Sequence, residues 1–305
     1  MREIIIGSRK SKLALEQTKQ VIEEVKSKDE NHRFIIKEMS TRGDRNLNIS
    51  LDQFAGRGVF NLEIDQALIE QKIDVAIHSM KDLPIETSEL LTVAAIPRRE
   101  DPREALISAN HLTLEQLPRG AIVGTSSARR SAQLKAIRPD LQTKQIRGPI
   151  DDRIAQLQRG DYDAILLAVA GLKRLQLENY ITEYLPLDSF LPAACQGALT
   201  IQCRSSDIYL KKVFQLIHDE ETALATEAER SLIEKLDKSE KTPIGCLATV
   251  DHNLITLRAI VLSKDGTDFV QGKAQGKIPE EVASILAKQL LDKGAGQIIE
   301  RYACL

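Results

Sequence analysis

The segment Ile73–Pro84 reads IDVAIHSMKDLP and joins a short apolar run to a polar loop. Its first part, Ile73–Ile77, predicts a buried β-strand because apolar and β-branched residues dominate it. Its second part, His78–Pro84, predicts a loop that Pro84 closes. Ligands of open α/β sheets bind beyond the carboxyl ends of the strands, so this segment indicates both a fold class and the place of a site.

The same alternation of apolar runs and helical patterns extends outward from this segment and predicts a mostly parallel α/β sheet. Prolines and charges interrupt it at Pro97–Pro102, and a second alternating unit follows, with a second crossover at Leu191–Ala194. From about Asp219 three runs alternate like antiparallel strands. We therefore expect a first α/β lobe over residues 1–97 and 198–216, a second over 102–191, a hinged cleft between them, and a smaller C-terminal α+β domain over 219–305.

Composition and charge restrict the function classes. The 305 residues are 42% apolar with a formal net charge of −2, which gives no overall attraction to nucleic acid or to anionic membranes. The apolar run at Ile4–Ile6 is too short for the core of a signal peptide, and no stretch is long enough to span a bilayer. We expect a soluble cytoplasmic protein that neither binds nucleic acid nor enters a membrane.

The cysteines predict neither a metal site nor a disulfide framework. Cys195, Cys203, Cys246 and Cys304 form no CxxC pair, and no histidine spacing accompanies them. Four cysteines in a chain of this length are also too few for a disulfide-stapled fold.

Small hydroxyl residues and arginines recur where predicted strands end. Backbone N–H groups at helix N-termini attract anions, and guanidinium groups bind carboxylates through paired hydrogen bonds. A ligand with many carboxylates would use such a set better than a single phosphate would. The segments concerned are Gly7–Ser11, His78–Pro84, Gly124–Arg130, Arg147–Gly148 with Arg153, and Ala170–Arg174.

Each segment also has a purely structural interpretation. Gly-Thr-Ser-Ser before a helix often serves only as an N-cap, and an Arg-Arg pair is often a solvated surface. Asp82 could cap the turn that Pro84 closes, and His78 could be a hydrogen-bonded core histidine. The joint placement of the segments at strand ends favours the functional interpretation.

Taken together, these segments resemble porphobilinogen deaminases, also called hydroxymethylbilane synthases. The resemblance covers nearly the whole chain and implies a three-domain fold whose first two lobes are like periplasmic binding proteins. HSMKDLP and GTSSxRR are highly specific, and the match continues through Thr41–Asp44, Arg99–Arg103, Asp163–Leu175, Pro192–Leu199, Ala228–Arg230 and Pro243–Gly245.

The resemblance implies a transferase of porphyrin (haem) biosynthesis. Such enzymes join four porphobilinogen molecules head to tail with release of ammonia, on a dipyrromethane cofactor that a cysteine anchors. It also implies a monomer whose partners are porphobilinogen and linear pyrrole intermediates, with Asp82 as the catalytic carboxylate. The residues expected to bind cofactor and substrate are Arg9, Ser11, Ser79, Lys81, Thr125, Ser127, Arg129, Arg130, Arg147, Arg153, Arg174 and Gln196.

The chain departs from the family pattern at the anchor. Glu240 occupies the position of the family's cysteine, and Lys238 and Ser239 replace the two glycines before it. A thiolate gives a stable thioether with an azafulvene, whereas a carboxylate gives a labile ester. Cys246, six residues further on, is a less favoured substitute because an apolar sequence follows it. The anchor is therefore undetermined, and covalent attachment of the cofactor is doubtful.

Further departures fall on segments that the resemblance assigns to the ligand. Arg57 and Leu62 replace two lysines, while Pro149 and Asp152 alter the segment after Arg147. These changes leave a second function open, in which a non-catalytic paralogue binds a linear tetrapyrrole or another polycarboxylate in the cleft. A nucleic-acid binder is a weaker third option, because the net charge is near zero and aromatic residues are few.

Overall fold

The structure is a computed structural model that describes residues 2–41, 61–85, 88–237 and 241–303. Arg57, Glu240, Cys304 and most of the Thr41–Asp44 segment lie outside these residues. The chain divides into two compact units, residues 1–100 with 197–223 and residues 101–196 with 224–305. The three-domain boundaries given above stay a prediction.

The first unit contains a five-stranded mixed sheet in the order β2-β1-β3-β10-β4. Strand β10 runs antiparallel to both of its neighbours, β3 and β4, whereas β1 runs parallel to β2 and β3. The return of the chain through β10 was predicted from sequence and is confirmed. The strands are β1 (Glu3–Arg9), β2 (Arg33–Met39), β3 (Val75–Ser79), β4 (Leu91–Ala95) and β10 (Leu199–Arg204).

Helices cover both faces of this sheet. One core joins α1 and α6 to side chains such as Ile6, Ile77 and Ile201, and the other joins α2 to Ile73, Ala76 and neighbouring residues. Helix α1 begins at an N-cap, Ser11, whose Oγ accepts the backbone N–H of Ala14 at 3.2 Å. The helices are α1 (Lys12–Lys28), α2 (Leu62–Ile69) and α6 (Ile208–Gln215), with a 3₁₀ turn at Met80–Asp82.

The second unit holds another five-stranded sheet, in the order β7-β6-β8-β5-β9. Here β5 is the strand that runs antiparallel to its neighbours, as β10 does in the first sheet. Its elements are β5 (Glu104–Ser108), β6 (Ile122–Gly124), β7 (Gln142–Lys144), β8 (Ala164–Ala168), β9 (Glu183–Tyr184), α3 (Ala128–Ile137), α4 (Ile150–Gln158) and α5 (Val169–Arg174), with a 3₁₀ turn at Glu178–Tyr180.

A smaller antiparallel sheet, β11-β12-β13, completes the second unit, as the alternating C-terminal runs predicted. Its β12 packs against α3, and Gly266 in the turn after it lies against the backbone of Ala132 and Ala136. The elements are α7 (Glu220–Leu236), β11 (Ile244–Asp251), β12 (Leu254–Leu262), β13 (Phe269–Gly276), α8 (Pro279–Asp292) and α9 (Ala295–Ala303). Helix α7 begins in the first unit and ends in the second.

The sequence pattern did not predict one fully buried strand and three short helices. Strand β5 directly follows the proline-rich crossover, and it is buried throughout, so it shows no alternation of polar and apolar residues. Helices α5, α6 and α9 have six to nine residues, too few for a clear helical period. The fold class is nonetheless confirmed: two α/β lobes and a smaller C-terminal α+β domain.

Glu229 ties the second crossover to the C-terminal sheet. It lies fully buried on α7, and its two carboxylate oxygens accept the backbone N–H groups of Cys195, at 2.5 Å, and Ala248, at 2.7 Å. Cys195 itself has a positive φ of 61°, a conformation that favours glycine. The carboxylate therefore stabilises an unfavourable backbone conformation in the segment that precedes Gly197.

Replacing Gly197 by alanine should destabilise the first unit. Its φ is +92°, and a Cβ added there would overlap the carbonyl oxygen of Glu100. Gly160 is the matched control, because its φ is +85° and nothing lies within 4 Å of an added Cβ. We expect Gly160→Ala to cost about 1–2 kcal/mol and Gly197→Ala clearly more, measured by urea denaturation. Equal losses in the two variants would show that the overlap is relieved.

Candidate functional site

In the first unit two neighbouring parallel strands end beside the predicted catalytic loop. Arg9 is the last residue of β1 and Ser79 the last of β3, and the 3₁₀ turn with Lys81 and Asp82 follows directly. Because β1 and β3 are parallel, their carboxyl ends lie at the same edge of the sheet. The fold thus brings Arg9, Ser11, Ser79, Lys81 and Asp82 to one edge.

Hydrogen bonds fix the backbone around Asp82. The N–H of Met80 donates to the carbonyl of Ala198 at 3.0 Å, and the N–H of Leu83 donates to the carbonyl of Met80 at 3.1 Å. The amide of the buried Asn61 donates to the carbonyl oxygen of Asp82 at 3.3 Å. The loop is therefore held from both sides, while the Asp82 side chain is half-buried.

The two predicted serines of the first unit already have structural partners. Ser11 Oγ accepts the N–H of Ala14, and Ser79 Oγ accepts an N–H of the Gln17 amide at 2.9 Å. A hydroxyl that accepts one hydrogen bond keeps its own proton for donation. Both serines can therefore cap or support a helix and still donate to a carboxylate.

In the second unit the parallel strands β6, β7 and β8 end together at one edge. Thr125 follows β6 and is buried, and its Oγ1 accepts the N–H of Ser127 at 3.2 Å. Ser127 is the N-cap of α3, with its Oγ accepting the N–H of Arg130 at 3.3 Å. Arg147 and Arg174 lie after β7 and at the end of α5. Thr125 and Arg147, which follow two of these parallel strands, therefore lie at one edge of the sheet.

Arg129 and Arg130 are bound to a carboxylate that the sequence analysis did not single out. Glu104, at the start of β5, is fully buried, and its Oε1 and Oε2 lie 2.5 Å from Arg129 Nη2 and 2.6 Å from Arg130 Nη2. Arg129 Nη1 donates to the carbonyl oxygen of Leu191 at 2.7 Å, and Arg130 Nη1 donates to the carbonyl oxygen of Leu166 at 3.0 Å. Burial lowers the pKa of Arg129, against the effect of Glu104, which raises it.

Three guanidinium groups of this unit repel one another. Burial, together with the positive charges of Arg130 and Arg147, lowers the pKa of Arg153 to about 10. Arg153 Nε donates to the carbonyl of Gly148 at 2.8 Å. Arg130 Nε is buried and has no hydrogen-bond partner among the residues that the structure describes. An anion placed beside these three side chains would relieve the repulsion.

Gln196 is the least accessible of the predicted ligand residues, and Arg174 is also buried. Gln196 is 1% exposed, and its amide donates to the carbonyl oxygens of Pro102 at 2.9 Å and Arg103 at 3.4 Å. Arg174 is 9% exposed. These contacts give Gln196 a clear part in holding the chain after the first crossover, and its binding role stays a prediction.

The residues at which the chain differs from the family pattern lie in different surroundings. Leu62 is 58% exposed at the start of α2. Pro149 is the N-cap residue of α4, and Asp152 is exposed in its first turn, where a negative charge favours the helix. Gly148 has a φ of +109°, and an added Cβ would lie 3.2 Å from Asp152 Cβ. A glycine is therefore required between Arg147 and this helix.

Comparison with known proteins gives the family. A family model described as porphobilinogen deaminase, dipyromethane cofactor binding domain, matches residues 4–212, and the porphobilinogen deaminase C-terminal domain matches residues 223–293. This chain belongs to the porphobilinogen deaminase family. The fit over both parts confirms the resemblance that the sequence motifs indicated.

Relatives named porphobilinogen deaminase match along the full length. That of Oceanobacillus iheyensis is 45% identical over 302 residues, covering 99% of this chain and 98% of its own. That of Shouchella clausii is 46% identical over 303 residues, covering 99% and 97%. The similarity therefore includes all the segments discussed above.

Solved structures similar in fold include a putative methionine-binding lipoprotein of Bacillus subtilis. It has 14% identity and a TM-score of 0.43, and the match covers 72% of this chain and 92% of that one. A periplasmic binding protein of Salmonella typhimurium with high arginine specificity has 13% identity and a TM-score of 0.41, covering 73% and 94%.

The dipyrromethane of this family fits the cations of the chain better than it fits the thiols. Ser, Thr and Arg side chains at the strand ends are suited to its carboxylates. Cys195, Cys203 and Cys246, by contrast, are all buried, with exposures of 1%, 0% and 0%. Cys246 lies within β11, and its N–H donates to the carbonyl of Pro192 at 2.9 Å. A thioether to any of these three would require the backbone around it to open.

The described residues contain neither a cluster that could hold a metal ion nor a helix that could cross a membrane. Within them no cluster of His, Cys, Asp and Glu side chains could hold a metal ion. No helix in the same ranges is long and apolar enough to cross a membrane.

Sequence reasoning missed three groups around the site of this deaminase-family chain: Glu104, Asp65 and Gln202. Each is a polar residue whose partner lies far away in sequence, so no local spacing indicates the pair. The available signal was a charged or amide side chain next to an apolar run, as in Glu104 before ALIS.

Replacing Glu104 by glutamine should strongly destabilise the second unit. The amide removes the negative charge between two buried guanidiniums, which costs about 3–5 kcal/mol when a buried pair is broken. Asp161→Asn is the control, because its partner Arg159 is 62% exposed and such surface pairs contribute about 0–1 kcal/mol. Calorimetric melting temperatures should separate the two variants by several degrees. Similar melting temperatures would contradict the structural role of Glu104.

Proposed function

We propose that this chain is a hydroxymethylbilane synthase that condenses four porphobilinogen molecules head to tail and releases ammonia. The observation that carries the proposal is the Asp82 loop, held at the shared edge of β1 and β3 beside Arg9. The full-length similarity to porphobilinogen deaminases at about 45% identity supports the same assignment.

Asp82 supplies the negative charge that this reaction needs. Loss of ammonia from porphobilinogen leaves an electron-poor pyrrole, and positive charge develops on the pyrrole nitrogen. A carboxylate that accepts the pyrrole N–H stabilises this charge and can take up or return a proton. The fixed backbone around Asp82 keeps the carboxylate in place, so little reorganisation is needed during the reaction.

The remaining residues hold carboxylates. Acetate and propionate groups carry the negative charges of the substrate, and a polypyrrole carries several of them. Arg130, Arg147 and Arg153 form a cationic cluster in the second unit, and Arg9 and Lys81 provide positive charge in the first. The dipyrromethane, when bound, supplies the free pyrrole α-carbon from which the chain grows.

We further propose that the primer is held mainly by these ionic contacts rather than by a thioether. Glu240 at the anchor position and the burial of three thiols support this proposal. The alternative of a non-catalytic paralogue has no specific observation in its favour. The interlobe cleft, the cytoplasmic location and the monomeric state stay predictions.

The mass of the purified holoprotein tests how the primer is held. We expect the denatured protein to have the mass of the bare chain. The native protein should carry a pyrrole that denaturation releases and that then reacts with Ehrlich's reagent. The result follows because ionic contacts do not survive denaturation. A denatured mass increased by a dipyrromethane would overturn the ionic proposal, and peptide mapping would then locate the bond.

Replacing Asp82 by asparagine should abolish most of the turnover of porphobilinogen. The variant keeps the size of the side chain but loses the charge, so kcat should fall by about 10²–10⁴-fold. Asp151→Asn, on the exposed first turn of α4, is the control and should retain normal kcat. Porphobilinogen consumption measures both. A kcat of Asp82→Asn within twofold of the parent would refute the role of Asp82.

A further inference from the structure

A small polar cluster, buried except for its half-buried Asp65, lies on the face of the first sheet that α2 covers. Its members are His78 on β3, Thr200 and Gln202 on β10, and Asp65 on α2. His78 pairs with Thr200 and Ala76 with Gln202 in the antiparallel ladder, so His78 and Gln202 are diagonal neighbours on one face. The surrounding core, with Ile64 and Ala76, is apolar.

Hydrogen bonds give this cluster a direction. The side-chain carbonyl Oε1 of Gln202 lies 3.1 Å from His78 Nε2. The Gln202 side chain also favours the charged form of the Asp65 carboxylate, an effect that only its amide N–H can have. Oε1 is an acceptor only, so His78 Nε2 must carry the hydrogen. The chain of donors therefore runs from His78 through Gln202 to Asp65.

Burial sets the charges at the two ends of this chain. Burial, with a smaller contribution from Arg9, lowers the pKa of His78 to about 4, although Gln202 and Asp82 oppose the shift. Burial raises the pKa of Asp65 to about 6, against the hydrogen bond from Gln202, which lowers it. At neutral pH the imidazole is therefore uncharged and Asp65 is mostly a carboxylate. Asp65 Oδ1 is buried without a hydrogen-bond partner in the ranges described.

His78 connects the cluster to the proposed reaction. Its imidazole lies within electrostatic reach of both Arg9 and Asp82. An imidazolium there would attract the Asp82 carboxylate and offset its negative charge. That negative charge is needed to stabilise the positive charge that develops on the pyrrole. A neutral imidazole leaves the negative charge available, and a fixed tautomer holds the ring in one orientation.

We propose that Gln202 and Asp65 are positioning residues for the condensation, acting by holding His78 as the neutral Nε2–H tautomer beside Asp82. This inference rests on the proposed function. Neither residue contacts the reacting atoms in this role. A purely structural role would require only that the buried polar groups be hydrogen-bonded, whichever ring nitrogen carries the hydrogen.

Gln202→Met tests the proposal, because methionine keeps the volume of the side chain and removes its hydrogen bond with His78 and its polar effect on Asp65. Nitrogen-15 shifts of the imidazole report the tautomer, and a His78→Gln variant assigns its signals among the five histidines. We expect the parent to show the neutral Nε2–H form at pH 7 and Gln202→Met to show a mixture of tautomers. The kcat should fall about 10- to 100-fold with little change in KM, the size expected for a displacement below about 1 Å.

Thr200→Val is the matched control on the same strand and face. Thr200 is fully buried, and its Oγ1 has no hydrogen-bond partner among the described residues, so a methyl group can replace it. We expect this variant to keep the parent tautomer and the parent kcat. Comparable melting temperatures of Thr200→Val and Gln202→Met would show that stability does not explain a difference in kcat.

Three results would overturn the proposal. One is a parent protein with His78 charged or in the Nδ1–H form at pH 7. Another is a Gln202→Met variant with unchanged tautomer or unchanged kcat, and the third is an equal loss of kcat in Thr200→Val. Absence of porphobilinogen turnover by the parent would instead refute the proposed function, and the tautomer in the same sample would still decide whether the hydrogen-bond chain exists.

Discussion

The buried carboxylate of Glu104 is the interaction on which the arrangement of the second unit depends. Two guanidiniums neutralise it, and the same guanidiniums bind the carbonyls of Leu191 and Leu166. One charge cluster thereby fixes β5, β8, the start of α3 and the second crossover relative to one another. A buried charge without such partners would be too costly to keep, so these elements must meet where the charges meet.

This constraint explains why the arginines of one motif do not all have the same task. Arg129 is bound to protein groups within the core, whereas Arg130 also belongs to the cationic cluster with Arg147 and Arg153. The structural pair therefore places the start of α3, and the cluster beside it gains its geometry from that placement. Removing ligand-binding charge and removing structural charge are consequently different experiments, even for adjacent residues.

A comparable division occurs in the first unit. Asp82 is the proposed reacting carboxylate, and the groups that fix its surroundings lie on other elements, at Asn61, Ala198 and His78. The polar cluster of His78, Gln202 and Asp65 lies in an otherwise apolar core, where each hydrogen bond has few alternatives. How a primer is attached is a separate question, and the part of Glu240 in it stays a prediction.

The sequence by itself determined the α/β class, the return of the chain through β10, the family, and the strand ends at which Arg9, Asp82 and Thr125 stand. It could do so because hydrophobic period, turn residues and specific motifs are local properties. Only the tertiary structure decided that Glu104 binds Arg129 and Arg130, that Gln202 links His78 to Asp65, and that β5 is a strand. The contact between His78 and Gln202 joins residues 124 positions apart, and all of these contacts depend on burial, which changes the energy of a charge without leaving a pattern in the sequence.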